Sequence, residues 1–180
     1  MDMTTTKAKN LDGYGTPPIE WERVRDVLAS DIPQGPDAGG PNRHTIWLTT
    51  INPDGSPHVT PIGGGQVNGA WYFTSGPGTR KSRNIAADSR CVVSVATHPF
   101  DLVLEGRATR VTDTDELRSV ADEYNRGGWP AQVEGDAFTA EYSAPSAGPA
   151  PWHVYQFTAD TVFAFGTAEP YGATRFDITR

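Results

Sequence analysis

The chain has 180 residues, 37% of them hydrophobic. That is enough for a real core and too much for a chain disordered throughout. A formal net charge of −7, from 15 basic and 22 acidic residues, argues against a protein that holds nucleic acid by its phosphates. The single cysteine, Cys91, excludes an intramolecular disulfide, and no apolar run suits a signal peptide or a membrane span, so a soluble cytoplasmic protein is expected.

Residues 1–15 are polar and glycine-bearing and read as a flexible tail, which leaves 16–180 as one domain. Thr16, Pro17 and Glu20 together suit a helix start, and Trp21, Val24, Val27 and Leu28 follow at helical spacing. Residues 31–42 are rich in Pro and Gly and form a loop. From 45 the texture becomes β-branched. Strands are expected at 45–51, 58–62 and 71–74, with turns at 52–55 and at Asn68-Gly69, and they read as an antiparallel meander. The glycines 63–65 could let a ligand or another chain come close to the backbone, but the favoured reading is a flexible connection.

A short helix follows over 80–88, with Ile85 and Ala86 on its buried face. Residues 91–96 and 102–111 read as strands, with Gly106 marking a bulge or a bend in the second. Asp113 and Glu116 have capping-box spacing, and Leu117, Val120, Ala121 and Tyr124 continue as the clearest helix, ended by Gly127-Gly128. The stretch 128–151 is a long loop of functional or mobile character, flanked by Trp129 and Trp152 as the more exposed tryptophans. Strands resume at 153–157 and 161–165 around a turn at Ala159-Asp160, with a last one at 173–178. Six or seven antiparallel strands with a few flanking helices imply a mainly β, or α+β, barrel, whose closure removes open edges.

The segment 76–84, Gly-Pro-Gly-Thr-Arg-Lys-Ser-Arg-Asn, concentrates the chemistry. Free backbone N–H groups at a helix start, the hydroxyls of Thr79 and Ser82, and the cations Arg80, Lys81 and Arg83 make an anion site; the alternative is a solvated basic helix face. The eight-residue frame of a Walker A loop is absent. Val59-Thr60-Pro61 is the second candidate, because a strand proline removes a donor and suits an edge whose backbone can face a ligand. His44, His58, His98 and His153 have no metal-ligand spacing, so no metal is expected, and Cys91 in an apolar strand reads as a packed thiol. No nucleophile elbow is present.

Three passages in order give the chain a resemblance. They are 53–61 (Pro-Asp-Gly-Ser-Pro-His-Val-Thr-Pro), Phe73-Thr74 leading to Lys81-Ser82-Arg83-Asn84-Ile85 and Asp88-Ser89-Arg90, and 103–108 (Val-Leu-Glu-Gly-Arg-Ala). Across 45–112 the chain resembles the pyridoxamine 5′-phosphate oxidase-like proteins, which have an FMN-binding type of split β-barrel, and most nearly their actinobacterial flavin/deazaflavin oxidoreductases. The resemblance implies a homodimer with cofactor at the interface. It places a phosphate near Thr79, Lys81, Arg83 and Asn84, and a tricyclic ring against Val59, Thr60 and Pro61 with Thr74 nearby. Thr79 stands where relatives often have Arg, with Arg80 following it. The function implied is an oxidoreductase that binds the deazaflavin coenzyme F420 and transfers hydride to a small conjugated acceptor. The alternatives are an FMN-dependent reductase or oxidase of the same family, or a cofactor-binding protein without turnover. No residue stands out as a catalytic acid, and Arg175, the one candidate for the substrate arginine of true pyridoxamine 5′-phosphate oxidases, equally suits a rim salt bridge.

Overall fold

In a computed structural model, residues 4–30, 32–34, 44–144 and 147–179 are described. Strands β1 (Thr4–Asn10), β2 (Ile46–Ile51), β3 (Pro57–Ile62), β4 (Gly64–Val67), β5 (Ala70–Ser75), β6 (Arg90–Ala96), β7 (Phe100–Val111), β8 (Gln132–Glu134), β9 (Ala137–Thr139), β10 (His153–Gly166) and β11 (Ala173–Thr179) alternate with helices α1 (Trp21–Ala29), α2 (Arg80–Ala87) and α3 (Thr114–Arg126). Alternation fixes the register. Ile46 and Leu48 on β2, Val93 and Val95 on β6, and Leu102 and Leu104 on β7 are all buried, while the residues between them face outward.

The main sheet runs β1-β11-β10-β7-β6-β2-β3, antiparallel throughout, and β5 pairs with both β10 and β4. Strand β10 organises it. Val154–Gly166 lies along β7, its first residues also pair with β5, and 161–165 pair with β11. The core inside the curved sheet includes Phe73, Phe100, Leu104, Val162 and Phe176. Helix α1 adds Trp21, Val24 and Leu28 to it, with the Trp21 ring 5.1 Å from that of Phe176. A second cluster joins Leu117 and Val120 of α3 to Val154, Tyr72 and Phe138.

The mainly β, split-barrel class holds, but the sheet is not closed. Strands β3 and β4, joined through Gly63, do not pair with each other, so the expected closure gives way to a gap. For the same reason the meander stops at the β2–β3 hairpin, because β5 pairs with β10 rather than β3. Gly64 and Gly65 are strand residues of β4, not connection. Asn68 (φ 49°) and Gly69 (φ 79°) make the tight turn between β4 and β5.

Four other expectations change. Residues 4–10, expected as a loose tail, form β1 on the edge of β11, where register with a partner supplies what a polar sequence does not signal. Helix α1 starts at Trp21 instead of at Thr16, because Pro18 holds Pro17 out of the α region; Glu20 is the N-cap and its side chain makes no cap bond. The turn expected at Ala159-Asp160 is a bulge within one long strand, β10. The loop 128–151 contains the β8–β9 hairpin, and Trp152 beside it is buried. The expected loop at 31–42 lies mostly outside the described residues.

Gly106 sits opposite that bulge, paired with Ala159, and a Cβ there would lie 2.0 Å from the Thr158 carbonyl oxygen. The obstacle is backbone in the sheet's longest ladder. Gly106→Ala is expected to lower stability by about 2–3 kcal/mol in denaturant unfolding. Gly78→Ala, where nothing lies within 4 Å of a Cβ, serves as the silent control.

Candidate functional site

Two polar clusters fix α2 over the end of the sheet. Thr79 is its N-cap, its hydroxyl accepting the Ser82 N–H at 3.3 Å. The hydroxyl of Thr79 lies 2.8 Å from that of Ser75 and 3.1 Å from that of Ser82, and Ser82 donates to Ser75 at 2.9 Å. Further along, buried Asn84 uses its side-chain amide to donate to Thr50 Oγ1 (3.1 Å) and Asn52 Oδ1 (3.0 Å), tying the helix to β2. Arg83 donates to the Gly78 carbonyl, and Arg80 is exposed on the first turn.

Between these clamps stands Lys81, only 8% exposed. Among the described residues its ammonium has no hydrogen bond or ion pair. Burial pushes its pKa below the usual lysine value. It lines a cavity of about 620 Å³. Pro61, Ile62 and Thr74 share that wall, so the cavity lies at the gap between β3 and β4. His58, on β3, is held below the usual imidazole range first by burial and then by the charges of Arg80 and Lys81. Among the described residues β3 is a terminal strand of the sheet, and its backbone groups on the far side have no strand partner there.

The residues singled out from sequence therefore divide. Pro61, Thr74 and Lys81 meet at the cavity. Val59 and Thr60 lie along the β3 edge, outside the cavity wall, with Val59 54% exposed. Thr79 and Asn84 spend the side-chain groups named above inside the protein. Gly64 and Trp129, both weighed from sequence, are on the wall, Trp129 donating from Nε1 to the Tyr142 carbonyl at 2.7 Å, and sequence reasoning missed Gln34, Glu123 and Tyr124 there. They come from segments far apart in the chain, and no spacing signals them.

Other candidates resolve simply. Among the described residues no three His, Cys, Asp or Glu side chains gather as a metal site. Burial pushes the Cys91 thiol up to about 12, so it is a packed and unreactive group. Arg175 pairs with Asp177 at 2.6 Å.

Residues 38–166 match the family described as pyridoxamine 5′-phosphate oxidase. The chain belongs to the pyridoxamine 5′-phosphate oxidase family. Three solved structures resemble it. A putative 5-nitroimidazole antibiotic resistance protein from Bacteroides thetaiotaomicron is 14% identical, with TM-score 0.55 over 99% of this chain and 94% of that one. A putative pyridoxamine 5′-phosphate oxidase from Listeria innocua is 13% identical, with TM-score 0.53 over 79% and 95%. An Agrobacterium tumefaciens protein of unknown function is 23% identical, with TM-score 0.50 over 67% of this chain and 50% of that one. The match thus spans half the length of the Agrobacterium protein. These likenesses show a shared fold. No curated protein matches the chain.

The pyridoxamine 5′-phosphate oxidase family binds flavins. Lys81 fits one: a buried cation without a counter-charge, on the first turn of a helix at a cavity, suits a phosphate.

Without a ligand that cation costs stability. Lys81→Met is expected to stabilise the ligand-free protein by about 1–2 kcal/mol. The folded pKa lies below 10.5, so between the two values the unfolded chain binds more protons than the native one. Stability of the wild type therefore rises with pH across that window. The advantage of Lys81→Met is expected to shrink as pH approaches 10.5, measured by urea unfolding at stepped pH. A constant difference would refute the burial cost.

Proposed function

We propose that the protein is an oxidoreductase that binds a flavin-type cofactor, the deazaflavin F420 in first place and FMN in second. It transfers hydride to a small conjugated organic acceptor. The single observation that carries this is the unpartnered, buried Lys81 at a cavity bordered by an open strand edge. Family membership supports the flavin class, and the preference for F420 follows from the motif resemblance over 45–112.

When bound, the cofactor supplies the hydride chemistry. The chain's own residues bind and orient. Lys81, together with the free N–H groups of the first turn of α2, holds the phosphate, and Arg80 adds charge from the rim. Thr79 and Asn84 act at one remove by fixing α2. The β3 edge at Val59, Thr60 and Pro61 offers backbone to a planar ring, and Thr74 offers a hydroxyl from the opposite wall.

A second copy of the chain completes the site in this proposal. The register places Trp47, Val59, Pro61, Val92, Val103 and Phe163 on the outward face of β2, β3, β6, β7 and β10. Trp47 is 43% exposed. This largely apolar face, which also carries Thr49, Ser94 and Glu105 and is continuous with the ring site, suits a self-complementary contact.

Two measurements test these statements. Titration of the apo-protein with F420 and with FMN, followed by fluorescence, is expected to show binding of the deazaflavin. Lys81→Ala is expected to weaken it by roughly ten- to a hundredfold, the worth of a charge-assisted hydrogen bond. Unchanged affinity in Lys81→Ala, or no binding of either cofactor, refutes the assignment. In sedimentation, the wild type is expected to run as a dimer and Trp47→Glu as a monomer. A wild-type monomer at tens of micromolar protein would sink the dimer.

A further inference from the structure

Gln34 does something unusual on the cavity wall. Its side-chain amide meets both backbone groups of one residue: Nε2 donates to the Gly64 carbonyl at 2.5 Å, and Oε1 accepts the Gly64 N–H at 2.9 Å. Among the described residues strand β4 pairs only with β5, so this pair of hydrogen bonds occupies its other side. Both residues line the same cavity as Lys81. Gly64 is also the point of closest approach there, since a Cβ on it would lie 2.8 Å from the Tyr72 carbonyl oxygen.

A primary amide presents an adjacent donor and acceptor in one plane, and backbone N–H and C=O of a strand residue form the complementary pair. The same pattern, an N–H beside a C=O, is found on the edge of a lactam, an imide or an aromatic carboxamide. We propose that the open edge of Gly64 is a recognition site for such a ring edge, and that Gln34 fills it as an internal stand-in which the ligand displaces. The inference rests on the flavin assignment of this cavity, since a pyrimidinedione ring carries this edge. An aromatic carboxamide, as in nicotinamide, carries it too. Lys81 and Gly64 then grip different parts of the cavity's contents, one a phosphate and the other a ring edge.

The stand-in role makes a directional claim. A wall residue that is removed weakens binding, whereas a competitor that is removed strengthens it. The test is lumiflavin binding, followed by fluorescence quenching, to the wild type, Gln34→Ala and Gln34→Glu. Lumiflavin has the ring edge and no phosphate, so Lys81 does not decide the result. Gln34→Glu keeps the stem and sets a carboxylate oxygen against the Gly64 carbonyl, breaking the pair without emptying the site. Both variants are expected to bind about tenfold tighter, the scale of one or two neutral hydrogen bonds released. N3-methyl-lumiflavin, which lacks the N–H, is expected to gain nothing. Exchange of the Gly64 amide proton is expected to speed up in both ligand-free variants and to slow again when lumiflavin binds.

A gain for nicotinamide and not lumiflavin supports the site and assigns it to a carboxamide. Equal or weaker binding of all probes by correctly folded variants, or no binding to any form, overturns it. Loss of F420 and FMN binding by the wild type, with the lumiflavin gain intact, overturns the phosphate assignment and leaves the ring-edge site standing.

Discussion

A largely buried lysine with no hydrogen bond or ion pair among the described residues sets the terms for the site. Lys81 could relieve the cost of burial by extending to solvent, but the backbone that carries it is clamped on both sides. The Ser75–Thr79–Ser82 hydroxyls hold one end of the first turn, and the Thr50–Asn84–Asn52 bonds hold the next turn. Burying such polar clusters is expensive unless they are satisfied, and these are bonded to one another. The effect is a preorganised charge. An anion arriving here meets a donor whose desolvation has already been met during folding, and this favours affinity over ligand-free stability.

The gap in the sheet follows the same logic. Exposed strand edges invite aggregation, and each of the three edges here is treated differently. The outermost strand β1 carries exposed Lys7 and Lys9. The β4 edge is covered at Gly64 by the Gln34 amide. The β3 edge carries Pro57 and Pro61, which lack N–H donors, and it borders the cavity through Pro61. In the proposed reading, the β3 edge, which a closed barrel would hide, is kept as binding backbone. The bulge at Asp160 opposite Gly106 lets one strand, β10, serve β7 along its length while its two halves face β5 and β11.

Sequence made the local parts legible and left the assembled parts dark. The helix start at Thr79 and the cluster at Lys81 were readable because cap, glycines and cations adjoin in the chain. So were α3, with Asp113 accepting the N–H groups of Asp115 and Glu116, and the turn at Asn68-Gly69. Strand pairing was less legible. The strand at 71–74, after the Asn68-Gly69 turn, reads as the third strand of a meander, yet which neighbour β5 takes depends on β10, some eighty residues later. The burial of Lys81 was invisible too, because a basic helix face and a buried cation share one sequence pattern. Of the site residues taken from resemblance, Thr79 and Asn84 lie on the helix that carries Lys81 or at its cap, but their hydroxyl and amide bond within the protein. A shared motif cannot separate a residue that touches a ligand from one that positions another residue.

The cavity wall is built in two grades of stiffness, and that bears on how a fold of this kind comes to serve different partners. The Lys81 side is anchored by a helix cap, two polar clusters and the contact of α2 with β2. The opposite side joins loop segments to residues of β3 and β4 and to Glu123 and Tyr124 of α3. Residues 32–34 are held by the Gln34 amide at β4, by the His44 N–H donating to the Pro33 carbonyl and by Ile32 packed against the main core, and Tyr142 is held by the Trp129 bond to its carbonyl and by its own hydroxyl donating to the Gly128 carbonyl. A phosphate is common to many cofactors, so a rigid grip on it can persist while the other wall changes. Pro33, Ser143 and Ala144 on that wall belong to neither core cluster, whereas the strands set against the ring are part of the sheet. In the proposed reading, the acceptor side can therefore change at these loop residues while cofactor anchoring persists.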